Sequence, residues 1–494
     1  DRTNRWGMKK QTIVLAIAVF HSGFLYSEQS ASQSQSLSEP ALFERCYAQV
    51  TTLRVSRKHP LYLQVKAGQK TAIAACGEVI DRARFVGSEN QEIGIRSDKE
   101  AKAVLATFHR LHASWFLSKD FPIVDKDGFN RDNQNLFDST TPALFFTRAL
   151  FRPSTDVKSA LIEPISLRAI RTEVNPTAAP ETGHASSDYL FEPLIQFAPT
   201  GELLGVQNPV KLVFNYPEVK FPKPGRPAGT IDLNGSLGGG LLGTHQYLLL
   251  NTSPMDTSSS YKTDGGVHVH RRWGKAVFND LLCREIPVVR ESDVIGLVDT
   301  KSTIPFRTSS ACTKCHASMD RAAATIRGYH LNPIGKSVMT PYGEKMRGGL
   351  LPVQHAVTAS AEEKWPTEPD ADYYRRPTSG VFYFRSYAGE LIDRPVANVA
   401  DLGVKISETD DFYICLAKRY YHHFTGITAN NSDLGDPYRT TVLTAGDLAH
   451  RNAVIGLGKN LKSHQSLRQL ISEILQQATY RKTDFGTSGV EDGK

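Results

Sequence analysis

The sequence lacks most of the short motifs that would assign an enzyme class directly. It holds no Gly-x-Ser-x-Gly elbow and no His-Glu-x-x-His pair, which argues against the commonest serine hydrolases and zinc proteases. Residues 238–243 match Gly-x-Gly-x-x-Gly, but no βαβ pattern surrounds them and no Lys-Ser/Thr follows. We therefore interpret this stretch as a flexible turn rather than a nucleotide site.

A strong excess of one charge is also missing. The formal net charge is +7 over 494 residues, and residues 1–27 contribute about +3 of it. No dense basic run occurs, so the sequence gives no reason to expect nucleic acid as a partner. A modest attraction to acidic partners, or to membrane and cell-envelope surfaces, is all that this balance permits.

Apolar runs are short, and the one at the N-terminus is typical of an export signal. Met8 is followed by two lysines, an apolar run over 13–20 and a small residue, Ser27, before a polar stretch. We expect residues 1–27 to be upstream residues plus a cleaved signal peptide, and residues 28–40 to be a Ser/Gln linker. The protein would then be periplasmic or secreted in a bacterium. The alternative is an N-terminal membrane anchor.

Helical periodicity dominates the rest of the chain. Apolar residues recur at helical spacing near 41–85, 98–116, 271–283, 411–425 and 466–480. Prolines and short β-prone runs such as 211–215 predict irregular α+β structure between about 140 and 235. Cys46 and Cys76 lie on two of the predicted helices, and a disulfide between them would fit an oxidising compartment, although spacing alone does not establish the pairing.

The stretch ACTKCHASMD, residues 311–320, carries the strongest chemical signal. On a helix, Cys312, Cys315 and His316 share one face, because they are three and four residues apart. Cys-x-x-Cys-His is the attachment signature of c-type haem: the thiols form thioethers and the imidazole is the proximal iron ligand. A zinc site would need further ligands nearby, and a thioredoxin-like dithiol would need a βαβ context; neither is present in the local sequence.

The second axial ligand would decide between electron transfer and chemistry at the iron. Met319 lies one turn beyond His316 on the same helix, so we interpret it as a packing residue. Met339 follows in a stretch long enough to reach the distal face, and we name it as the provisional distal ligand. The competing candidates are Met346, His330, His422, His423 and a vacant position.

Two histidine pairs have spacings that would allow metal binding. His109 and His112 are three residues apart on a predicted helix, and His268 and His270 would share a strand face. Acidic or cysteine neighbours are missing from the local sequence at both pairs. We interpret both as surface or packing pairs.

The C-terminal half resembles planctomycete-type cytochrome-associated multidomain proteins, which are exported c-type haem proteins without a demonstrated reaction. Their motif reads Cys-x-x-Cys-His-x-x-Met-Asp-Pro, and residues 312–320 match it through Met319 and Asp320. Arg321 replaces the Pro, and His330 replaces an Asp. The resemblance covers roughly residues 230–485 and implies a haem protein of exported redox or polymer-associated systems.

The same resemblance extends to both sides of the motif. Residues 273–283 are similar to the family's Gly-Lys-Trp helix, residues 235–243 to the glycine-led turn before it, and residues 412–426 to its Phe-x-x-Cys helix. Cys283 stands where the family has Gly, while Cys415 matches the expected cysteine. This comparison suggests a Cys283–Cys415 disulfide.

We therefore predict a mainly α protein with an irregular α+β middle segment and a cytochrome-c-like haem helix in the C-terminal half. The expected segments are a helical N-terminal domain (41–135), the irregular segment (136–234), a haem-bearing domain (235–350), a loop-rich linker (351–410) and a C-terminal helical domain (411–485). The predicted cofactor is one haem c. The leading function is electron transfer with an unidentified redox partner protein; the alternatives are a haem enzyme, such as a peroxidase or an oxidase of a small substrate, and an envelope scaffold with an ancillary haem.

Overall fold

The computed structural model describes residues 35–84, 98–116, 141–164, 237–244, 247–248, 251, 265–302, 305–327, 329–331, 338–339, 345–346, 350–352, 376–438 and 442–485. Most of these residues are helical, as the sequence predicted. The helices are α1 (Glu39–Thr51), α2 (Pro60–Lys66), α3 (Ala72–Asp81), α4 (Lys99–Ser114), α5 (Thr141–Phe151), α6 (Ser159–Ile162), α7 (Gly265–Ala276), α8 (Ser310–Ala323), α9 (Val399–Ser407), α10 (Asp410–Thr425), α11 (Ala445–His464), α12 (Leu467–Gln476) and α13 (Ala478–Arg481).

The described strands form two-stranded antiparallel sheets. Their bounds are β1 (Tyr329–Leu331), β2 (Val338–Met339), β3 (Lys345–Met346), β4 (Leu350–Pro352), β5 (Gly380–Arg385) and β6 (Leu391–Val396). Strand β1 pairs with β4, β2 with β3 and β5 with β6. In the longest pair, Gly380 lies opposite Val396 and Arg385 opposite Leu391. Each sheet is too small to be stable alone, so it depends on packing against the helices.

The N-terminal and C-terminal helices bury one shared apolar core. Helices α1, α3, α4 and α5 contribute to the same buried cluster as α10, α11 and α12. The two ends of the chain also meet through hydrogen bonds: Arg45 donates to the carbonyl oxygens of Tyr480, at 2.8 Å, and Lys482, at 2.7 Å. The core is therefore built from residues more than 400 positions apart along the chain.

Both predicted disulfides are present. Cys46 of α1 pairs with Cys76 of α3, with 6.1 Å between the Cα atoms, and Cys283 pairs with Cys415 of α10, with 5.1 Å. The second bridge joins the chain just after α7 to the helix that occupies the centre of the core. Disulfides persist in oxidising environments, so the two bridges are compatible with an extracellular location.

Helix α8, which carries the Cys-x-x-Cys-His motif, is positioned by two close backbone contacts. Gly274 of α7 lies against the carbonyl oxygen of Met319, and a side chain there would collide with it. Gly380 at the start of β5 makes the same kind of contact with the carbonyl oxygen of Arg321. Because both glycines lack a Cβ, α7 and the β5–β6 hairpin hold α8 from two sides.

Several expectations from the sequence need correction or qualification. His268 and His270 lie in α7 and not on a strand, so their spacing of two does not place them on one face. Helix α5 falls in the segment expected to be irregular, and the hairpin and α9 occupy part of the expected linker over 351–410. Helix α11 was not predicted at all.

Residues 238–243 include a buried 3₁₀ turn, Gly240–Gly243, in which the preceding Gly239 has φ 72°. The interpretation of this stretch as a turn is confirmed. The predicted signal peptide and the β-prone run at 211–215 lie outside the described residues. Within the part of the chain that the structure describes, no helix is both long and apolar enough to cross a membrane.

Substitution of Gly274 tests the packing of α8. Gly274→Ala should lower the free energy of unfolding by about 1–3 kcal/mol, because the new methyl group forces α7 away from Met319. Gly456→Ala in α11 is the matched control: nothing lies within 4 Å of the added carbon, so helix propensity should raise stability by about 0.5–1 kcal/mol. Urea unfolding measures both. Equal effects of the two substitutions would contradict this packing.

Candidate functional site

The motif occupies the first two turns of α8. Thr313, between the two cysteines, is buried and donates its hydroxyl to the carbonyl oxygen of Ser309 at 2.8 Å. Thr313 and Ala317 are buried, so this face of the helix packs against the rest of the protein. Cys312 is exposed and Cys315 is half-buried, so both thiols lie on an accessible surface of the protein.

Cys312 and Cys315 are free thiols, whereas the other four cysteines are paired. Burial raises the pKa of the Cys315 thiol, although the neighbouring charges of Lys314 and Lys275 act in the opposite direction. A thiol with a raised pKa is mostly protonated at neutral pH, which limits its spontaneous oxidation.

His316 is oriented by a carboxylate one helical turn away. Its Nδ1 lies 2.9 Å from Oδ2 of Asp320. A carboxylate can only accept, so we assign the imidazole proton to Nδ1, which leaves the lone pair of Nε2 available for a metal. The Asp320 side chain is only 5% exposed, which makes the contact strong and geometrically fixed.

Arg271 of α7 holds Asp320 in turn. Its Nε donates to Oδ1 of Asp320 at 2.9 Å and its Nη2 donates to Oδ2 at 3.1 Å. This is the two-pronged geometry in which a guanidinium fixes the plane of a carboxylate. Arg271 therefore neutralises the Asp320 carboxylate, whose burial without a counterion would cost free energy. The fixed carboxylate in turn orients the imidazole of His316.

Phe306 covers one face of the imidazole. The rings of Phe306 and His316 are stacked, with centroids 4.3 Å apart and planes inclined by 14°. The guanidinium of Arg271 lies over the same phenyl ring, 4.9 Å from its centroid. His316 is consequently fixed both at its Nδ1 edge and across its plane, and this is the arrangement by which outer residues orient a metal-binding histidine.

The segment before α8 and the hairpin support the other side of the helix. Ala317 packs with Val289, Val294 and Tyr383 in a small apolar cluster. Tyr383 also donates its hydroxyl to the carbonyl oxygen of Asp293 at 2.8 Å. Arg321, which replaces the proline of the resembled motif, lies over the ring of Tyr383 at 4.7 Å. Arg321 thus binds α8 to the hairpin.

The candidates for the distal ligand lie on different elements of the structure. For Met339, Met346 and His330, only the backbone is described: the two methionines lie on the paired strands β2 and β3, and the histidine lies on β1. His422 contacts Thr428, at 3.0 Å, and Nε2 of His423 lies 3.2 Å from the carbonyl oxygen of Gln49. These contacts of His422 and His423 are not with α8.

The His109–His112 pair belongs to the core. His112 is fully buried, with Nδ1 2.8 Å from the hydroxyl of Thr147 and Nε2 2.6 Å from the hydroxyl of Tyr420. Burial, followed by the charge of His109, lowers the pKa of His112 well below its usual value. A neutral imidazole with both nitrogens in hydrogen bonds is a structural residue, as the packing interpretation predicted.

Sequence reasoning did not assign the groups that orient His316. The spacing of His316 and Asp320, four residues on one helix face, was a usable signal for that contact. No comparable signal exists for Arg271 and Phe306, because tertiary packing alone brings them to the histidine.

The donor set suits a covalent haem. It combines two free, accessible thiols at helical spacing with an imidazole whose Nε2 is open and whose Nδ1 is anchored. Among the described residues, no group of three or more His, Cys, Asp or Glu side chains is arranged to hold a metal ion. Comparison with family models, curated proteins and solved structures gave no match.

Thiol labelling tests the cysteine assignments. In the non-reduced, haem-free protein, iodoacetamide at pH 8 should label only Cys312 and Cys315, and Cys312 should react several-fold faster because it is exposed and burial raises the pKa of Cys315. Peptide mapping by mass spectrometry reads out both results. Labelled peptides containing Cys46, Cys76, Cys283 or Cys415 would contradict the disulfides.

Proposed function

We propose that the protein is an exported single-haem c-type cytochrome that transfers electrons to or from a partner protein. The observation that carries the proposal is the fixed geometry of His316: the Asp320 carboxylate holds Nδ1 at 2.9 Å and leaves Nε2 for the iron. Free cysteines at positions −4 and −1 relative to that histidine complete the set for covalent attachment.

Each residue of the site has a defined part in this proposal. The Cys312 and Cys315 thiols would add across the two haem vinyl groups, and Nε2 of His316 would be the proximal ligand. When bound, the haem supplies an iron that exchanges one electron. Asp320, Arg271 and Phe306 keep the imidazole in one tautomer and one plane, which limits reorganisation of the protein around the metal.

Met339 remains our proposed distal ligand. A thioether there would raise the reduction potential and favour electron transfer over chemistry at the iron. Its place on β2, paired with Lys345 of β3, is the only structural observation for this residue. Met346 and His330 are the competing residues.

A haem enzyme, such as a peroxidase or an oxidase of a small substrate, is the second candidate, because the Asp320 contact that supports iron ligation by His316 fits it as well as it fits a cytochrome. A carboxylate on Nδ1 makes the imidazole a more basic ligand, which stabilises oxidised iron. If the distal position were open, this property would support chemistry at the iron. High-spin, five-coordinate iron in the visible spectrum would favour the enzyme, and a six-coordinate low-spin spectrum would favour the cytochrome.

Loss of both motif cysteines tests covalent attachment. The double variant Cys312→Ala, Cys315→Ala, exported from a bacterium with a cytochrome maturation system, should carry no haem that survives a denaturing gel stained for haem. Lys314→Ala, between the two cysteines, is the control and should retain the stained band. A stained band of undiminished intensity in the double variant would contradict the assignment.

Substitution of Asp320 tests the proximal contact. Asp320→Asn keeps an acceptor for Nδ1 but removes the charge, so the midpoint potential should rise by roughly 60 mV, a tenfold change in the one-electron equilibrium. Asp393→Asn is the control: Asp393 also pairs with an arginine of α8, at 3.6 Å from Arg321, but its side chain is 55% exposed. Water screens that charge, so the potential should barely change. Equal shifts in the two variants would contradict a specific effect through His316.

A further inference from the structure

A cleft of about 360 Å³ lies away from the motif cysteines, between the segment that follows α7 and the loop that follows α10. One wall is residues 283–290, which begin at the Cys283–Cys415 disulfide, and the other is residues 428–436. The volume is in the range of small-ligand sites. Val289, which lines the cleft, also packs with Ala317 of α8.

Lys418 of α10 supplies the ammonium group in this cleft. Its Nζ donates to Oδ1 of Asn431 at 3.1 Å, and the Asn431 side chain is fixed by donating to the carbonyl oxygen of Leu282 at 3.1 Å. An ammonium has three donors, and this contact uses one of them. Within the described ranges, no carboxylate forms an ion pair with Lys418.

The arginines at the cleft already have counterions. Arg284 pairs with Asp411 at 3.3 Å, and Arg290 forms a two-pronged pair with Asp433 at 2.7 and 2.9 Å. These pairs contribute little net charge to the space between the walls. The lining also includes the carboxylates of Glu285, which is exposed, and Asp436, which is partly exposed, so water screens their charges. Lys418 is consequently a partly buried cation that forms no ion pair with a described residue, although buried charges are ordinarily paired.

Electrostatics supports the same conclusion. Burial is the main cause that lowers the pKa of Lys418 to about 8. The charges of Arg419 and Arg284 lower it further, whereas the charge of Glu285, an exposed residue that also lines the cleft, raises it. At neutral pH the group is therefore still mostly charged, but its charge is destabilised by the surroundings. An anion in the cleft would stabilise the charged form of Lys418, because it would provide a counterion and hydrogen-bond acceptors in a partly dry site.

We propose that this cleft binds a small oxyanion, the carboxylate of an organic acid or a phosphate, with Lys418 as the residue that contacts the anionic oxygen. The proposal does not rest on the haem function, because Cys312, Cys315 and His316 take no part in the cleft. A cleft in which a poorly solvated lysine faces fixed polar groups is a typical position for such a ligand site.

Isothermal titration of the wild-type protein with inorganic phosphate, and separately with succinate, tests the site. At least one probe should bind, and the preferred probe distinguishes a phosphate site from a carboxylate site. Lys418→Met should weaken that binding at least tenfold. Lys459→Met removes an exposed lysine of α11 and should leave it unchanged. Absence of binding by both probes at millimolar concentration, or equal binding by wild type and Lys418→Met, would overturn the proposal.

A measurement on the wild-type protein covers the case in which Lys418→Met does not fold. Succinate keeps its charge between pH 7 and 9.5, whereas Lys418 loses its proton as the pH rises through about 8. Affinity for succinate should therefore fall at least tenfold over this interval. The other charged groups that face Lys418 or line the cleft are Arg284, Glu285, Arg290, Arg419, Asp433 and Asp436. Unchanged affinity across the interval would also overturn the proposal.

Discussion

The hydrogen bond from Nδ1 of His316 to Asp320 is the interaction on which the candidate site depends. It fixes the tautomer in which Nδ1 carries the proton, so the lone pair of Nε2 is available for a metal. Without Arg271, the buried carboxylate would lack a counterion, and without Phe306 the imidazole could rotate about its side-chain bonds. The site is thus a chain of contacts from α7 to α8 that ends at the histidine.

That chain of contacts requires α7 and α8 to lie closer together than side chains normally allow. Gly274 permits the approach on one side, and Gly380 permits the hairpin to approach on the other. The Cys283–Cys415 bridge then anchors the segment that follows α7 to α10, which is buried among the helices of both chain termini. A local motif is in this way held by the global packing of the protein.

Local patterns were the predictable part of the structure. The helices near both termini follow from periodicity within a few residues, and the helix over residues 312–316 with its shared face follows from the motif. Helix α11 escaped detection because its buried row includes Arg451 and Gly458, which do not read as an apolar stripe. The Cys283–Cys415 pairing came from a resemblance and not from spacing, and the structure contains it.

Long-range contacts could not be predicted from the sequence. Arg271 lies 49 positions from Asp320, and Lys418 lies 13 positions from Asn431 across a helix end, so neither pairing has a periodic signature. The cleft likewise forms between two segments, 283–290 and 428–436, that are far apart in the sequence. Among the described residues of its lining, Lys418 forms no ion pair, whereas Arg284 and Arg290 do; this difference is set by tertiary packing.

The most direct measurement of the central claim is the visible spectrum of the mature, exported protein in alkaline pyridine after reduction with dithionite. We predict the α band of a haem whose two vinyl groups are saturated by thioethers, at a stoichiometry of one haem per chain. A spectrum without a haem band, or with the band of unsubstituted haem b, would contradict the assignment of α8 as a haem-bearing helix.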